Sequence, residues 1–180
     1  MPTKSFILVI SGVTGGGKTT LIQSLQQRFE NSKVISFDDY SIDALPSAPP
    51  INTPVAEAIN QYDITLLMNE LRIVCGTAPL ILIDFPFGRK HQVLVPYIDK
   101  AVYVQTPLDI CFARQLLRDY QHQSAAEILN WTQTYLSFVR PIMIDHEQVV
   151  SADVDLIVDG TLPLVEQTAL VAAAIENLEK

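Results

Sequence analysis

Apolar residues in this chain alternate between short unbroken runs and longer stripes spaced by three or four, a pattern that predicts strand followed by helix throughout. Residues 6–10 form the first run, continuous as in a strand buried on both faces. After a glycine-rich turn, Leu21, Ile22, Leu25 and Phe29 recur at helical spacing; Asn31 and Ser32 stop that helix, and residues 33–37 read as a second strand. Residues 41–54 hold four of the eleven prolines, lack periodicity and predict an irregular excursion. Asp63 then precedes a helical face of Ile64, Leu67, Met68, Leu71, Val74 and Cys75, with Met68 read as core. Residues 80–83 make a central parallel strand ending in Asp84. Phe85, Pro86, Phe87 and Gly88 predict a turn, and His91 a solvated loop position.

Farther on, residues 101–105 predict a strand. A helix follows with Thr106 as N-cap, Pro107 at the first helical position, Asp109 in the first turn and a stripe of Ile110, Ala113, Leu117 and Tyr120. The next helix carries Ile128, Trp131, Tyr135 and Phe138 inward and ends at Arg140, before Pro141. Residues 154–158 supply the last strand, and Pro163 opens a closing helix with Leu164, Thr168, Val171, Ile175 and Leu178 on one face. The sum is one three-layer α/β domain spanning residues 1–180, with a parallel five-stranded sheet flanked by helices.

Composition narrows the class of partner. The chain has 180 residues, 48% of them hydrophobic, which suits one domain with a full core. Twelve basic residues against twenty acidic leave no basic field for nucleic acid or an anionic membrane. The first apolar run is too short for a signal-peptide core or a membrane span, so a cytoplasmic location is expected. Cys75 and Cys111 lie on apolar helical faces without CxxC spacing, which predicts buried thiols rather than a disulfide or a zinc site.

Candidate chemistry begins at the first turn. Gly12 to Thr19 fits GxxxxGK[ST], between a buried strand and an amphipathic helix as a P-loop requires. Glycines 12, 15, 16 and 17 let successive N–H groups turn inward around an anion, and the helix N-terminus favours the same charge. Lys18 is expected on the β- and γ-phosphates and Thr19 on Mg²⁺, with ATP held by Gly12, Thr14, Gly15, Gly16, Gly17, Lys18, Thr19 and Thr20. Asp38 and Asp39 end the second strand at the sheet edge where ligands bind; they either do chemistry there or cap a turn. Asp84 resembles a Walker B acid, whose burial a lysine or Mg²⁺ would offset. Arg114 and Arg118 lie four apart on one helix face with no acid three or four residues away, which suits either a bound anion or a solvated face. The guanine-reading [NT]KxD pattern of GTPases is absent from the sequence.

GVTGGGKTTL at 12–21 and VISFDDYS at 34–41 resemble the opening of nicotinamide riboside kinases and the wider uridine kinase and phosphoribulokinase group. LILIDF at 80–85, ICFARQLLRD at 110–119, YLSFVRPI at 135–142 and SADVDLIVDG at 151–160 are similar to later segments of that group. The resemblance implies a P-loop kinase acting with ATP and Mg²⁺ on a small molecule with a free hydroxyl. It places the general base on Asp38, with Asp39 the weaker choice, and Asp84 near Mg²⁺. Residues 110–123 become a lid in which Arg114 and Arg118 cover the phosphates, with Arg140 assisting. QYD at 61–63 matches the nicotinamide riboside kinase pattern, so Asp63 is either a ribose ligand or only an N-cap. Tyr62 would lie against the acceptor ring, in a pocket framed by Asp38, Tyr62 and Arg89. The chain departs from the group in its arginine-poor lid, its short length and the unalignable 41–54 segment. A second class stays open, an ATP-binding switch acting on a protein partner, and an isologous homodimer is the default assembly.

Overall fold

The computed structural model describes residues 4–44, 48–50 and 53–176. Leu178 and parts of the 41–54 segment (45–47, 51–52) lie outside the described residues. Strands β1 (Phe6–Ser11), β2 (Ser32–Ser36), β3 (Leu80–Asp84), β4 (Lys100–Gln105) and β5 (Leu156–Asp159) form one parallel sheet in the order β2-β3-β1-β4-β5. Each continuous apolar run serves both faces at once. In β1, Ile7 and Val9 pack with Leu67, Met68 and Leu71 of helix α3 (Thr65–Val74), reached through the short helix α2 (Val55–Ala58). Leu8 and Ile10 point the other way, onto Leu21, Ile22 and Leu25 of α1 (Lys18–Arg28) and Val171 of α7 (Leu164–Glu176). No helix among the described residues is long and apolar enough to cross a membrane.

The second half departs from its sequence reading. Helix α4 (Leu108–Asp119) buries Cys111 with Leu108 and Phe112 against it, while Leu117 is 71% exposed. Its face is set by the P-loop beneath, because Cys111 packs with Val13. Pro141 does not end a helix: α5 (Ala125–Thr134) runs through a π-helical segment, Tyr135–Val139, into α6 (Arg140–Ser151). The wider π turn resets the ladder so that Pro141 falls in the first turn of α6, where its missing N–H does no harm. As a result Tyr135, Met143, His146 and Val150 face inward, whereas Phe138 is 59% exposed. Trp131 is half-buried and stacks on Tyr120. His91, expected in solvent, is buried, with Nε2–H donating to the Tyr62 carbonyl. Thr106 is no helix cap either; Pro107 precedes α4, and the Thr106 hydroxyl turns to the P-loop.

Candidate active site

Close approach dictates the P-loop glycines. A Cβ at Gly15, where φ is 80°, would stand 2.5 Å from the Cys111 carbonyl oxygen, and one at Gly12 would stand 2.7 Å from that of Val104. The Thr106 hydroxyl, 1% exposed, donates to the Gly16 carbonyl at 2.8 Å and ties the loop to the end of β4. Lys18 opens α1, and its Nζ donates to the carbonyls of Gly12 at 2.9 Å and Val13 at 3.2 Å. Burial lowers the Lys18 pKa, while Asp84 and Asp38 pull it back up. At the end of β3, Asp84 is buried and accepts from the Thr19 hydroxyl at 3.2 Å. Burial raises its pKa, Lys18 opposes that, and Asp38 adds to it.

Two adjoining cavities meet at these groups. The first, of about 260 Å³, is lined by Thr14, Gly15, Gly17, Lys18, Thr19, Thr20, Asp38, Asp84, Arg114 and Arg118. The second, of about 410 Å³, has Gly12, Val13, Phe37, Asp43, Tyr62, Phe87 and His146 among its walls, and shares Thr14, Lys18, Asp38 and Asp84 with the first. Tyr62 stacks on Phe87 with ring centroids 5.0 Å apart, and Phe37 meets both rings edge-on. One cavity is therefore polar and carries three cationic side chains, the other is walled by aromatic rings, and Lys18, Asp38 and Asp84 stand between them.

Not every expected residue joins. Asp39 follows Asp38 on the 3₁₀ turn Phe37–Tyr40, but the described lining of neither cavity includes it. Asp63 is exposed and accepts the Thr65 N–H at 2.9 Å, and hydrogen bonding from the Thr65 side chain and then its backbone holds the carboxyl below the usual range. Arg89 does not frame the second cavity; it donates to the carbonyls of Ile98 and Asp99 and pairs with Asp155 at 2.6 Å, at the amino ends of β4 and β5. Arg140 lines a separate groove with Leu108, Phe112 and Tyr135. Arg118 is paired after all, with its neighbour Asp119 through two bonds of 2.7 and 2.8 Å. Arg114 reaches toward the Gly15 and Gly160 carbonyls at 3.5 and 3.4 Å.

Sequence reasoning missed Phe37, Phe87, Asp43 and His146 as cavity residues. For His146 the signal was present, because Val139, Ile142, Met143, His146 and Val150 recur at helical spacing once Pro141 is not taken as a stop.

A parallel sheet of this strand order, with a phosphate loop after β1 and an acid closing β3, defines a P-loop kinase fold. The Mycobacterium tuberculosis APS kinase structure, in complex with AMPPNP and APS, shares it: TM-score 0.61 at 17% identity, over 97% of this chain and 99% of that one. Within that fold the chain is similar to uridine kinases and nicotinamide riboside kinases. The uridine kinase of Halobacterium salinarum is 25% identical over 182 residues, covering 83% of this chain and 76% of that protein. Nicotinamide riboside kinase 1 of Rattus norvegicus is 57% identical over 37 residues, 21% of this chain, and the match spans about a fifth (19%) of that relative's length. No family model matches the chain.

Proposed function

We propose that the chain is an ATP-dependent kinase that transfers the γ-phosphoryl group to a hydroxyl of a nucleoside-like small molecule. The observation that carries this reading is the junction of the two cavities, where a polar phosphate site and an aromatic-walled site share Lys18, Asp38 and Asp84. An ATP-operated switch has no use for the second cavity. The P-loop N–H groups and the start of α1 take the phosphates, and Lys18 exchanges the carbonyls of Gly12 and Val13 for phosphate oxygens. Thr19 and Asp84 would hold Mg²⁺: they are hard oxygen donors side by side, and a carboxylate buried beyond what Lys18 compensates favours a cation. When bound, Mg²⁺ supplies neutralisation of the phosphate charge. Asp38, exposed at the junction, orients the acceptor hydroxyl and takes its proton. Arg114 and Arg118 sit where charge spreads onto the transferred group. Tyr62 and Phe87 offer the acceptor ring a face to lie against.

The test is ADP release from Mg·ATP across a panel of nucleosides, nicotinamide riboside, vitamin-like alcohols and sugars, with Asp38→Asn alongside. One or more acceptors should stimulate release. The variant should lose about 10²- to 10⁴-fold in turnover while nucleotide affinity holds. An unchanged rate in Asp38→Asn removes it as the base, and no stimulation by any acceptor, with ATP still bound, removes the kinase reading.

A further inference from the structure

Beside the Tyr62–Phe87 stack, in the wall of the aromatic cavity, a buried polar chain runs through His146. His146 of α6 is 8% exposed, with Nε2 2.7 Å from the Pro86 carbonyl and Nδ1 3.4 Å from the hydroxyl of Tyr103 on β4. A carbonyl can only accept, so Nε2 carries the proton and Nδ1 receives the Tyr103 hydroxyl. Burial, helped by the charge of Lys18, drives the His146 pKa down to about 4 against the opposing pull of Pro86, and the ring is neutral at physiological pH. Both nitrogens are occupied, which leaves neither for a substrate hydroxyl.

The Pro86 carbonyl is well chosen for such an anchor. β3 ends at Asp84, two residues earlier, and Pro86 has no N–H of its own to bind the turn back to the sheet. Phe87 comes next in the chain and stacks on Tyr62, with the His146 ring 6.2 Å from that of Phe87. The same turn of α6 is braced by Asp145, which accepts the Val55 N–H at 2.9 Å. We propose that His146 is a positioning residue for the acceptor: fixed on β4 by Tyr103, it holds the Pro86 carbonyl and thereby sets the Phe87 ring that walls the acceptor cavity. This inference rests on the kinase reading.

The experiment is steady-state kinetics with an acceptor from the panel above, comparing wild type, His146→Leu, His146→Gln and Tyr103→Phe. Gln can place an amide N–H where Nε2 stands, and Leu cannot. In His146→Leu the acceptor KM should rise about tenfold, with kcat within about threefold of wild type and KM for Mg·ATP unchanged. His146→Gln should restore the acceptor KM to within about threefold, and Tyr103→Phe should fall between. If the Leu variant does not fold, Tyr103→Phe carries the test, because it keeps the ring's donor to Pro86 but frees the ring from β4: an acceptor KM equal to that of wild type then overturns the assignment. An unchanged KM in His146→Leu, a fall in kcat with KM unmoved, or Gln no better than Leu would each overturn the assignment. Long-range ¹H–¹⁵N spectra of the wild type give a readout independent of turnover. They should show a neutral Nε2–H ring between pH 8 and about 5.5, and an Nδ1–H tautomer or an imidazolium in that range also overturns it. A wild type that phosphorylates no acceptor sinks the kinase reading and takes this inference with it, an outcome distinct from a normal wild type with indifferent variants.

Discussion

Thr106→Val separates two roles for one hydroxyl. A helix cap would contribute through the free N–H groups of α4, and Asp in its place would serve as well. The structure instead puts the hydroxyl on the Gly16 carbonyl at 2.8 Å, so enclosed that a Cβ on Gly160 would come within 1.8 Å of it. Valine keeps the shape and deletes the donor. The loss is about 0.5–1.5 kcal/mol for the net hydrogen bond, and about 1–3 kcal/mol where the carbonyl is left without a donor. A value near ~2 kcal/mol follows, or a fall of about 4–8 °C in Tm for a chain of this size. Thr106→Asp should do worse, because it buries a carboxylate against a carbonyl. Thr106→Ser, which keeps the donor, should lie close to wild type. Urea unfolding with an unchanged m-value, run beside Mg·ATP titration, measures all three. Thr106→Asp within about 0.5 kcal/mol of wild type, with Val equally mild, would refute the loop-tether geometry and restore the cap.

Two further outcomes follow from groups outside the phosphate site. Arg89→Ala should destabilise the fold by about 2 kcal/mol, through loss of the Asp155 pair and two carbonyl contacts, and leave the acceptor KM unchanged; Lys should rescue poorly because it lacks the guanidinium fork. Stability should also depend on pH through His146, whose pKa is about 4 in the fold against an ordinary 6.5. The unfolded state binds the extra proton, so this contribution is complete above the unfolded pKa and is lost as pH falls toward the folded one, roughly 3 kcal/mol in all. Buried His91, whose pKa burial also lowers, adds in the same direction. Urea midpoints between pH 7 and 4.5 should show a shallower slope for His146→Gln, and equal slopes would place the titration elsewhere.

The polar cavity was legible because each of its constraints is local. A buried run, glycines at fixed offsets, a lysine and a threonine state the P-loop within fourteen residues, and Asp84 follows from an apolar strand that ends in an acid. The five parallel strands and the two-faced core followed from the same alternation, whereas the strand order did not. The aromatic cavity depends on residues far apart in sequence. Nothing local in Arg89 reveals that Asp155 waits sixty-six positions on. Pro141 misled because a proline normally marks a helix end, and only the π turn before it makes continuation possible. The stripe of Ile110, Ala113 and Leu117 failed for a related reason, since the P-loop packed beneath α4, rather than the helix's own periodicity, selects the buried face. For Asp63 the sequence left a ligand and an N-cap both open, and in the structure its carboxylate accepts the backbone N–H of Thr65 at the start of α3.

The two cavities also differ in when they can exist. Every described wall of the phosphate cavity lies at or before Arg118, so a nascent chain contains that lining before α6 is made. The aromatic cavity is closed by Val139, Ile142, Met143 and His146, and its braces span 90 positions from Val55 to Asp145 and 60 from Pro86 to His146. Long closures of this kind demand most of the chain's ordering before they return any contact. Vectorial synthesis therefore supplies the walls of the polar cavity first and those of the aromatic cavity last, and a chain cut before α6 would retain Lys18 and the loop glycines while lacking Ile142, Met143 and His146.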